Sequence, residues 1–151
     1  MNTRLLAAAA AILLPAAALA ECPNYELMGA NSAALNAKNI GNGIAYDVVA
    51  GGDNYLPECG FQGVEAYVTN APDFSFDMSG VAGRYVILSV TSACDAAMVV
   101  NNVDGKWYYD DDSNGDLDPK VNMPGADGWL DVWIGTYDGA YCDARLTIQV
   151  Q

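Results

Sequence analysis

Apolar and polar residues alternate in several short stretches of this chain from residue 45 onward. A repeat of two residues is typical of a β-strand that buries one face and exposes the other. Three of the stretches alternate most cleanly. Their apolar positions are Val86, Leu88 and Val90, then Leu130, Val132 and Ile134, and finally Ala144, Leu146, Ile148 and Val150.

Turn-forming residues separate these stretches at regular intervals, as in Gly51-Gly52-Asp53, Asp104-Gly105 and Asp138-Gly139. Short strands at such spacing, without a convincing amphipathic helix pattern, are typical of an antiparallel β-sandwich. We therefore predict an all-β fold. The expected strands are Ala45–Val49, Glu65–Thr69, Asp73–Met78, Arg84–Thr91, Ala97–Asn101, Trp107–Tyr109, Gly128–Tyr137 and Ala144–Val150.

The first twenty residues have a different pattern. Arg4 is followed by an apolar run from Leu5 to Leu14, and Ala18-Leu19-Ala20 has the form of a cleavage site. This arrangement is typical of a secretory signal peptide, and the apolar run is too short to span a bilayer. The sequence therefore predicts a protein that is secreted to the periplasm or the cell exterior, with no membrane span.

The segment after the predicted cleavage site is rich in Asn, Ala and Gly and has no clear periodicity. It predicts an irregular N-terminal arm or a short helical turn around Ser32 to Ala37. The expected organisation is a signal peptide over 1–20, the arm over 21–44 and one β-sandwich domain over 45–151.

Four cysteines, at positions 22, 59, 94 and 142, predict two disulfides, since their number is even and the expected compartment is oxidising. Three pairings are open. We favour Cys94–Cys142, because both residues lie at strand boundaries, together with Cys22–Cys59, which would pin the arm to the domain. The sequence contains no C-x-x-C motif that would indicate a redox or zinc role.

The charge and the absence of histidine argue against several classes of function. The formal net charge is −13 at pH 7, with 19 acidic residues, 6 basic residues and no His. Such a surface repels phosphate backbones, so we expect no nucleic-acid partner. Without His the sequence lacks the Ser-His-Asp and Cys-His nucleophile systems, and we predict that the protein is not an enzyme.

The stretch from Asp110 to Asp118 matches the first half of an EF-hand calcium loop, with oxygen ligands at positions 1, 3, 5, 7 and 9 and a glycine at position 6. Position 12 holds Val121 instead of a bidentate Glu, so Asp95, Asp53 or Asp138 would have to complete the site. The alternative is a solvated turn, because Asp-Ser-Asn-Gly forms turns without metal. The predicted Ca²⁺ ligands are Asp110, Asp112, Asn114, Asp116 and Asp118, with Asp95 as a further candidate.

Trp129, Asp131 and Trp133 share the strand face opposite the apolar positions of their strand. If the aliphatic face lies in the core, two tryptophans point outward beside carboxylates and would form a platform for stacking carbohydrate. The alternative is that these rings pack across the sheet against Arg145 or other aromatic residues, which is common in sheets.

Asp73 and Asp77 alternate with Phe74 and Phe76 and could serve as the carboxylate pair of a glycoside hydrolase. Solvent-facing strand positions explain this alternation better. No acid is visibly placed in an apolar pocket that would raise its pKa. We therefore predict no catalytic residue.

Several short motifs follow one another in a specific order between residues 73 and 150. They are Phe74-Ser75-Phe76, Gly83-Arg84-Tyr85, Ser89-Val90-Thr91-Ser92, Met98-Val99-Val100, Asp104-Gly105-Lys106-Trp107, Gly128-Trp129-Leu130-Asp131-Val132-Trp133-Ile134-Gly135 and Ala144-Arg145-Leu146-Thr147-Ile148. In this order they resemble the bacterial pre-peptidase C-terminal domain, in its short secreted stand-alone form. The resemblance implies a jelly-roll-like β-sandwich without catalytic activity, whose relatives bind calcium or extracellular polymers.

The sequence thus predicts a secreted, non-catalytic β-sandwich module with a structural calcium site, which binds an extracellular polysaccharide or protein. Two alternatives stay open at this point. One is an accessory or interaction domain of a secreted protease system with no metal, and the other is a small hydrolase that uses carboxylates.

Overall fold

Two β-sheets packed face to face make up the fold. The structure is a computed structural model that describes residues 21–151, and the predicted signal peptide over 1–20 lies outside the described residues. The strands are β1 (Asn31–Asn36), β2 (Ile44–Ala50), β3 (Asn54–Tyr55), β4 (Tyr67–Val68), β5 (Phe74–Ser79), β6 (Tyr85–Ser92), β7 (Ala96–Asn102), β8 (Trp107–Asp110), β9 (Lys120–Pro124), β10 (Gly128–Thr136) and β11 (Cys142–Val150), with a 3₁₀ helix over Leu56–Cys59.

The first sheet has the strand order β1-β5-β10-β4-β3, with β7 on the other side of β10 and β8 beyond it, and the second has the order β2-β11-β6-β9. Every pair is antiparallel except β1 and β5, which run parallel. The prediction of an all-β sandwich is confirmed. Within residues 21–151 no helix has the length and apolarity that a membrane crossing requires.

The main core lies between the two sheets and contains all three of the apolar faces predicted from the alternation. In β10, Leu130, Val132 and Ile134 are buried there, while the residues between them point to the outer face of the first sheet. These strands follow their sequence pattern because each has one face against the partner sheet and one against water or a thin cover.

Residues 31–36 form a strand, so the helical turn expected around Ser32 to Ala37 is wrong. Asn31–Asn36 pairs with β5 along its full length, and Leu35 is buried in the main core. An isolated turn of helix is marginal in water, whereas the unpaired edge of β5 offers a row of backbone hydrogen bonds. The edge of the sheet therefore determines the conformation of this part of the arm.

Both favoured disulfides are present. Cys22 and Cys59 are joined with their Cα atoms 5.5 Å apart, and Cys94 is joined to Cys142. The first bond fixes the start of the arm to the end of the 3₁₀ helix. The second joins the β6–β7 connection to the first residue of β11.

A second apolar cluster lies on the outer face of the first sheet. Residues of β7 and β10 form its base, and the segment 56–68 covers it. Its buried members are Leu56, Val64, Ala66, Val68, Ala97, Val99 and Trp133. This cover occupies only one part of the outer face, and the arm approaches the remainder.

Candidate functional site

Trp129 and Trp133 lie on the same face of β10 but have different surroundings. Trp133 is 0% exposed, its ring centroid lies 5.4 Å from that of Trp107, and its Nε1 donates a hydrogen bond to the Asn70 carbonyl at 3.2 Å. Trp129 is 47% exposed. Trp133 is therefore not part of a ligand surface, and the prediction that placed it there is wrong because the segment 56–68 covers this end of the strand.

A groove of about 390 Å³ lies beside Trp129, between the arm and the outer face of the first sheet. Residues 25–28 of the arm line it on one side, and Val103 in the β7–β8 connection lines it on another. Tyr25 and Trp129 line the groove while about half of each side chain stays exposed. Its volume falls within the range of about 300–1,000 Å³ that is usual for small-ligand sites.

The arm is fixed over the sheet by backbone contacts. The Gly29 N–H donates to Ser75 Oγ at 2.8 Å, and a Cβ on Gly29 would lie 2.6 Å from the backbone of β5. The Asn24 N–H donates to the Asn70 carbonyl at 2.9 Å, and the Asn70 amide donates back to the Cys22 carbonyl at the same distance. Together with the Cys22–Cys59 bond, these contacts hold residues 25–28 as a wall of the groove.

Asp131 lies at the bottom of the groove and is only 6% exposed. Its Oδ1 accepts a hydrogen bond from Ser75 Oγ at 2.5 Å, and no residue of the described chain donates to its Oδ2. Burial raises the pKa of Asp131, and the hydrogen bond from Ser75 partly opposes that rise. The hydrogen bond from Ser75 to Oδ1 holds the carboxyl group in place, and Oδ2 is left as an acceptor for the groove.

Two amides extend this polar floor on the neighbouring strand. Asn102 Oδ1 accepts from the backbone N–H groups of Asp104 at 3.1 Å and Lys106 at 3.0 Å, while its Nδ2 has no acceptor among residues 21–151. Asn101, with its amide oriented to satisfy both of its ends, accepts from Trp107 Nε1 at 3.3 Å. The register pairs Asn101 with Asp131, so these two residues share the outer face of the sheet. Asn102 pairs with Leu130 at the end of β7, and its amide binds the backbone of the turn that follows.

The residues that line the groove include Glu26 and Asp131 but no Lys or Arg. The local charge therefore has the same negative sign as the whole chain. Anionic ligands are disfavoured at such a site.

The alternation along β10 marks Trp129 and Asp131 as outward-facing residues, but no sequence pattern marks the arm or the two amides as parts of the groove. Tyr25, Leu27 and Met28 belong to a segment without periodicity, so no repeat marks them as part of a site. The one available signal was the Cys22–Cys59 pairing, which implies that the arm returns to the body of the domain.

The predicted calcium loop is closed by its own hydrogen bonds. The Asp110 carboxylate accepts from the backbone N–H groups of Ser113 at 2.9 Å and Lys120 at 2.8 Å. Both oxygens of the buried Asp118 accept from Ser92, at 2.7 Å from Oγ and 3.2 Å from the backbone N–H. Two of the five predicted ligands are therefore already engaged by protein donors.

The other predicted ligands are exposed on the same loop. The Asn114 amide donates to the Val90 carbonyl at 2.8 Å, and Asp112 and Asp116 lie in solvent. Asp116 and the following Leu117 have positive φ angles of 53° and 63°. Across residues 21–151, no three acidic side chains come together in an arrangement that could hold a metal ion.

Asp95, the further candidate ligand, does lie within electrostatic reach of this loop. Burial raises the pKa of Asp95, and the charges of Asp112 and Asp138 raise it further. The pKa of Asp111 is raised by burial first and then by Asp112 and Asp110. Asp53, another candidate, is exposed in the turn between β2 and β3. The loop is thus a crowded negative region, and a calcium ion there stays a prediction.

Asp73 is largely buried, so the prediction that it faces solvent is wrong. Burial raises its pKa to about 7, against the opposing effect of a hydrogen bond that Oδ2 accepts from the Ile134 N–H at 2.7 Å. The side chain satisfies the backbone of β10 where β5 begins, and it borders a second depression with Asp47 and Asp143. Asp77 is exposed, as the alternation predicts.

No protein-family model matches the chain, and a comparison with curated proteins finds no match either. Solved structures do show similarity. The pre-peptidase C-terminal domain of collagenase from Bacillus anthracis has a TM-score of 0.48 and 16% identity, over 85% of this chain and 100% of that one. A solved structure of the domain that the sequence resembles is thus among the similar structures.

Two periplasmic inhibitors of g-type lysozyme, both called PliG, are also similar. The Aeromonas hydrophila protein has a TM-score of 0.46 and 11% identity, over 81% of this chain and 100% of that one. The Salmonella Typhimurium protein has a TM-score of 0.45 and 14% identity, over 80% of this chain and 98% of that one. At scores and identities this low, none of these likenesses carries an argument about function.

Proposed function

We propose that this protein is a secreted, non-catalytic β-sandwich module that binds an extracellular polysaccharide or protein in the groove beside Trp129. The observation that supports this proposal is the composition of the groove: an aromatic, half-exposed rim and a polar floor where one oxygen of Asp131 has no donor from residues 21–151. Concave sites of this composition are the usual form of a ligand site. Two disulfides fit a periplasmic or extracellular location.

The position of Asp73, the acid with the most raised pKa, favours a non-catalytic role. The Asp73 carboxyl accepts a hydrogen bond from the Ile134 backbone and does not line the groove. Asp77, which would be its partner in a carboxylate pair, is exposed. The sequence also contains no His to activate a nucleophile.

Site-specific photo-crosslinking tests this proposal, because it captures a bound molecule of any chemical class. A benzophenone amino acid in place of Trp129 should form adducts in irradiated cells that produce the full chain, because the side chain lies at the contact surface. The matched control is the same substitution at Tyr85, which is similarly exposed but lies on the second sheet. Adducts at Tyr85 alone, or none at either position, would contradict the proposal.

A structural calcium ion at the Asp110–Asp118 loop is a second proposal, favoured by the mutual repulsion of carboxylates around Asp95 and Asp112. A divalent cation would relieve that repulsion and bind the folded state preferentially. We expect Ca²⁺ at ten times its Kd to stabilise the fold by about 1.4 kcal/mol, which corresponds to a rise in Tm of about 5 °C.

Thermal unfolding with EDTA, Ca²⁺ or Mg²⁺ measures this effect. The rise should be specific to Ca²⁺ and should be lost in Asp112→Asn, while Asp77→Asn, at an exposed position on β5, should keep it. An unchanged Tm in the wild-type protein would show that the loop is a solvated turn closed by its own hydrogen bonds.

A further inference from the structure

The floor of the groove contains a carboxylate oxygen that no group of the described chain satisfies. Asp131 is only 6% exposed, and its Oδ2 receives no donor from residues 21–151. No side-chain oxygen of those residues is both sealed from solvent and unpaired, so Oδ2 is open to the groove. We infer, on the basis of the proposed function, that the groove takes up a basic side chain, lysine or arginine, from the surface of a partner protein.

Asp131 is held in place before any ligand arrives. Ser75 Oγ accepts from the Gly29 N–H at 2.8 Å and donates to Asp131 Oδ1 at 2.5 Å, so one hydrogen-bonded chain joins the arm to β5 and β10. The carboxylate has also lost most of its water in the free protein. A cation that pairs with it therefore causes little further desolvation of the carboxylate, and desolvation is the main cost of a buried ion pair.

Apolar surfaces surround this oxygen. Tyr25 and Met28 of the arm and Trp129 of β10 line the groove, and about half or more of each side chain is exposed. Trp129 and Asp131 are two residues apart on the same face of β10, which separates their Cα atoms by about 7 Å. A basic side chain has an apolar stem that packs on such surfaces and a cation that is attracted to the face of an aromatic ring. The groove therefore matches both parts of a lysine or arginine side chain.

The charge around the groove is negative. Glu26 and Asp131 line it without any basic residue, and the exposed Asp77 lies on the same face of the sheet. The turn beside the groove contains Asp104 and Lys106, whose charges offset each other. The formal net charge of the chain is −13 at pH 7. Electrostatic attraction therefore favours a partner whose contacting surface is basic.

An inorganic cation and a neutral sugar match the groove less well. Calcium takes about six to eight oxygen ligands, and nowhere in residues 21–151 do three acidic side chains come together. A neutral sugar could donate a hydrogen bond to Asp131, but it would cover the carboxylate without compensating its charge. A basic side chain supplies both the hydrogen bond and the opposite charge.

Three variants separate a specific ion pair from general attraction. Asp131→Asn keeps an oxygen that can accept from Ser75 Oγ and removes the charge. Asp143→Asn removes the same charge from an exposed position of β11, in the second sheet, and is the matched control. Trp129→Ala removes a ring from the rim of the groove. The Tm of each variant reports whether it folds.

Nuclear magnetic resonance titration of the purified secreted protein would use blocked five-residue peptides of glycine with a central lysine, arginine, norleucine or glutamate, together with cellotetraose. We expect the lysine and arginine peptides to shift the Trp129 indole signal and to bind about tenfold more tightly than the norleucine peptide. Asp131→Asn should abolish this preference, and Asp143→Asn should keep it. Trp129→Ala, followed through the backbone signals of residues 25–28, should weaken the binding of the lysine peptide about threefold.

The carboxyl carbon of Asp131 gives a second readout. Burial raises the pKa of this group in the free protein. A cation beside the carboxylate favours its charged form, so the pKa should fall when the lysine peptide binds and should not fall with the norleucine peptide. A lysine peptide that binds without lowering this pKa would show that the cation does not contact Asp131.

Failure of the basic partner differs from failure of the proposed function. If the norleucine peptide or cellotetraose binds as tightly as the lysine peptide, the basic side chain is wrong and the groove remains a binding site. If Asp143→Asn weakens the lysine peptide as much as Asp131→Asn does, the attraction is general and the pairing with Asp131 is wrong. If no probe binds, the basic side chain is wrong, and the presence or absence of adducts at position 129 decides the proposed function.

Discussion

Asp73→Asn should stabilise the protein by about 4 kcal/mol more at pH 8 than at pH 4. The wild-type carboxyl has a pKa of about 7 in the fold, compared with an ordinary value of 3.8, because it is buried. Each unit of difference corresponds to about 1.4 kcal/mol between the two protonation states. Asparagine keeps an oxygen that can accept from the Ile134 N–H but carries no charge at any pH.

Whether stability rises or falls with pH depends on which state, folded or unfolded, loses the Asp73 proton first. Below pH 3.8 both the folded and the unfolded carboxyl are protonated, and the group costs the fold nothing. As the pH rises toward 7, the unfolded chain ionises first, so the stability of the wild-type protein falls. Above pH 7 both states are ionised, and the full cost of the buried charge is present.

Urea unfolding of both proteins between pH 4 and pH 8 measures this difference. Asp77→Asn is the matched control, since it removes an exposed carboxylate from β5, four residues after Asp73. If the difference between Asp73→Asn and the wild type stays constant with pH, Asp73 is ionised without cost, and its assigned burial is wrong.

Trp133→Ala should destabilise the fold by about 4 kcal/mol, whereas Trp129→Ala, four residues N-terminal to it on the same strand, should cost less than about 1 kcal/mol. Trp133 fills the second apolar cluster and donates a hydrogen bond to the Asn70 carbonyl, so its removal leaves a cavity under the segment 56–68. Trp129 is about half exposed, and its loss leaves no enclosed space.

The two variants should also differ in their effect on the packing of the aromatic rings. Chemical denaturation gives the stabilities, and near-ultraviolet circular dichroism reports the packing of Trp133 against Trp107. We expect Trp129→Ala to keep that signal and Trp133→Ala to lose most of it. Equal destabilisation by both variants would contradict the assignment of one ring to a core and the other to a surface.

The alternation of apolar residues was sufficient to predict the strands that face the main core. β10 and β11 each have one face against the opposite sheet, so their sequences carry the period of two residues directly. The same alternation places Trp129 and Trp133 on one face but does not distinguish them. What separates them is the segment 56–68, which folds over Trp133 and has no period of its own.

Residues 31–36 illustrate the limit of local preference. Ala33, Ala34 and Leu35 favour a helix in isolation, yet they form a strand because the edge of β5 offers six successive residue partners. That edge lies far away along the chain, at residues 74–79, so no local pattern at positions 31–36 reveals it.

The function of the acidic loop also depends on a contact that is distant along the chain, so the local sequence does not determine it. Oxygen-bearing residues at alternate positions serve both a calcium loop and a turn that binds its own backbone. Which of the two applies to Asp118 depends on Ser92, a donor from another strand that contacts both of its oxygens. The polar floor of the groove likewise depends on Ser75, which fixes Asp131 from the neighbouring strand.

The most direct test of a binding groove beside Trp129 is hydroxyl-radical footprinting of the protein, alone and in contact with the cells that produce it. We predict that oxidation of Tyr25, Met28 and Trp129 falls in the presence of cells, because a ligand covers the groove that they line. Oxidation of Tyr85, on the second sheet, should stay the same. Unchanged oxidation at Trp129, or protection confined to Tyr85 or the Asp110–Asp118 loop, would contradict it.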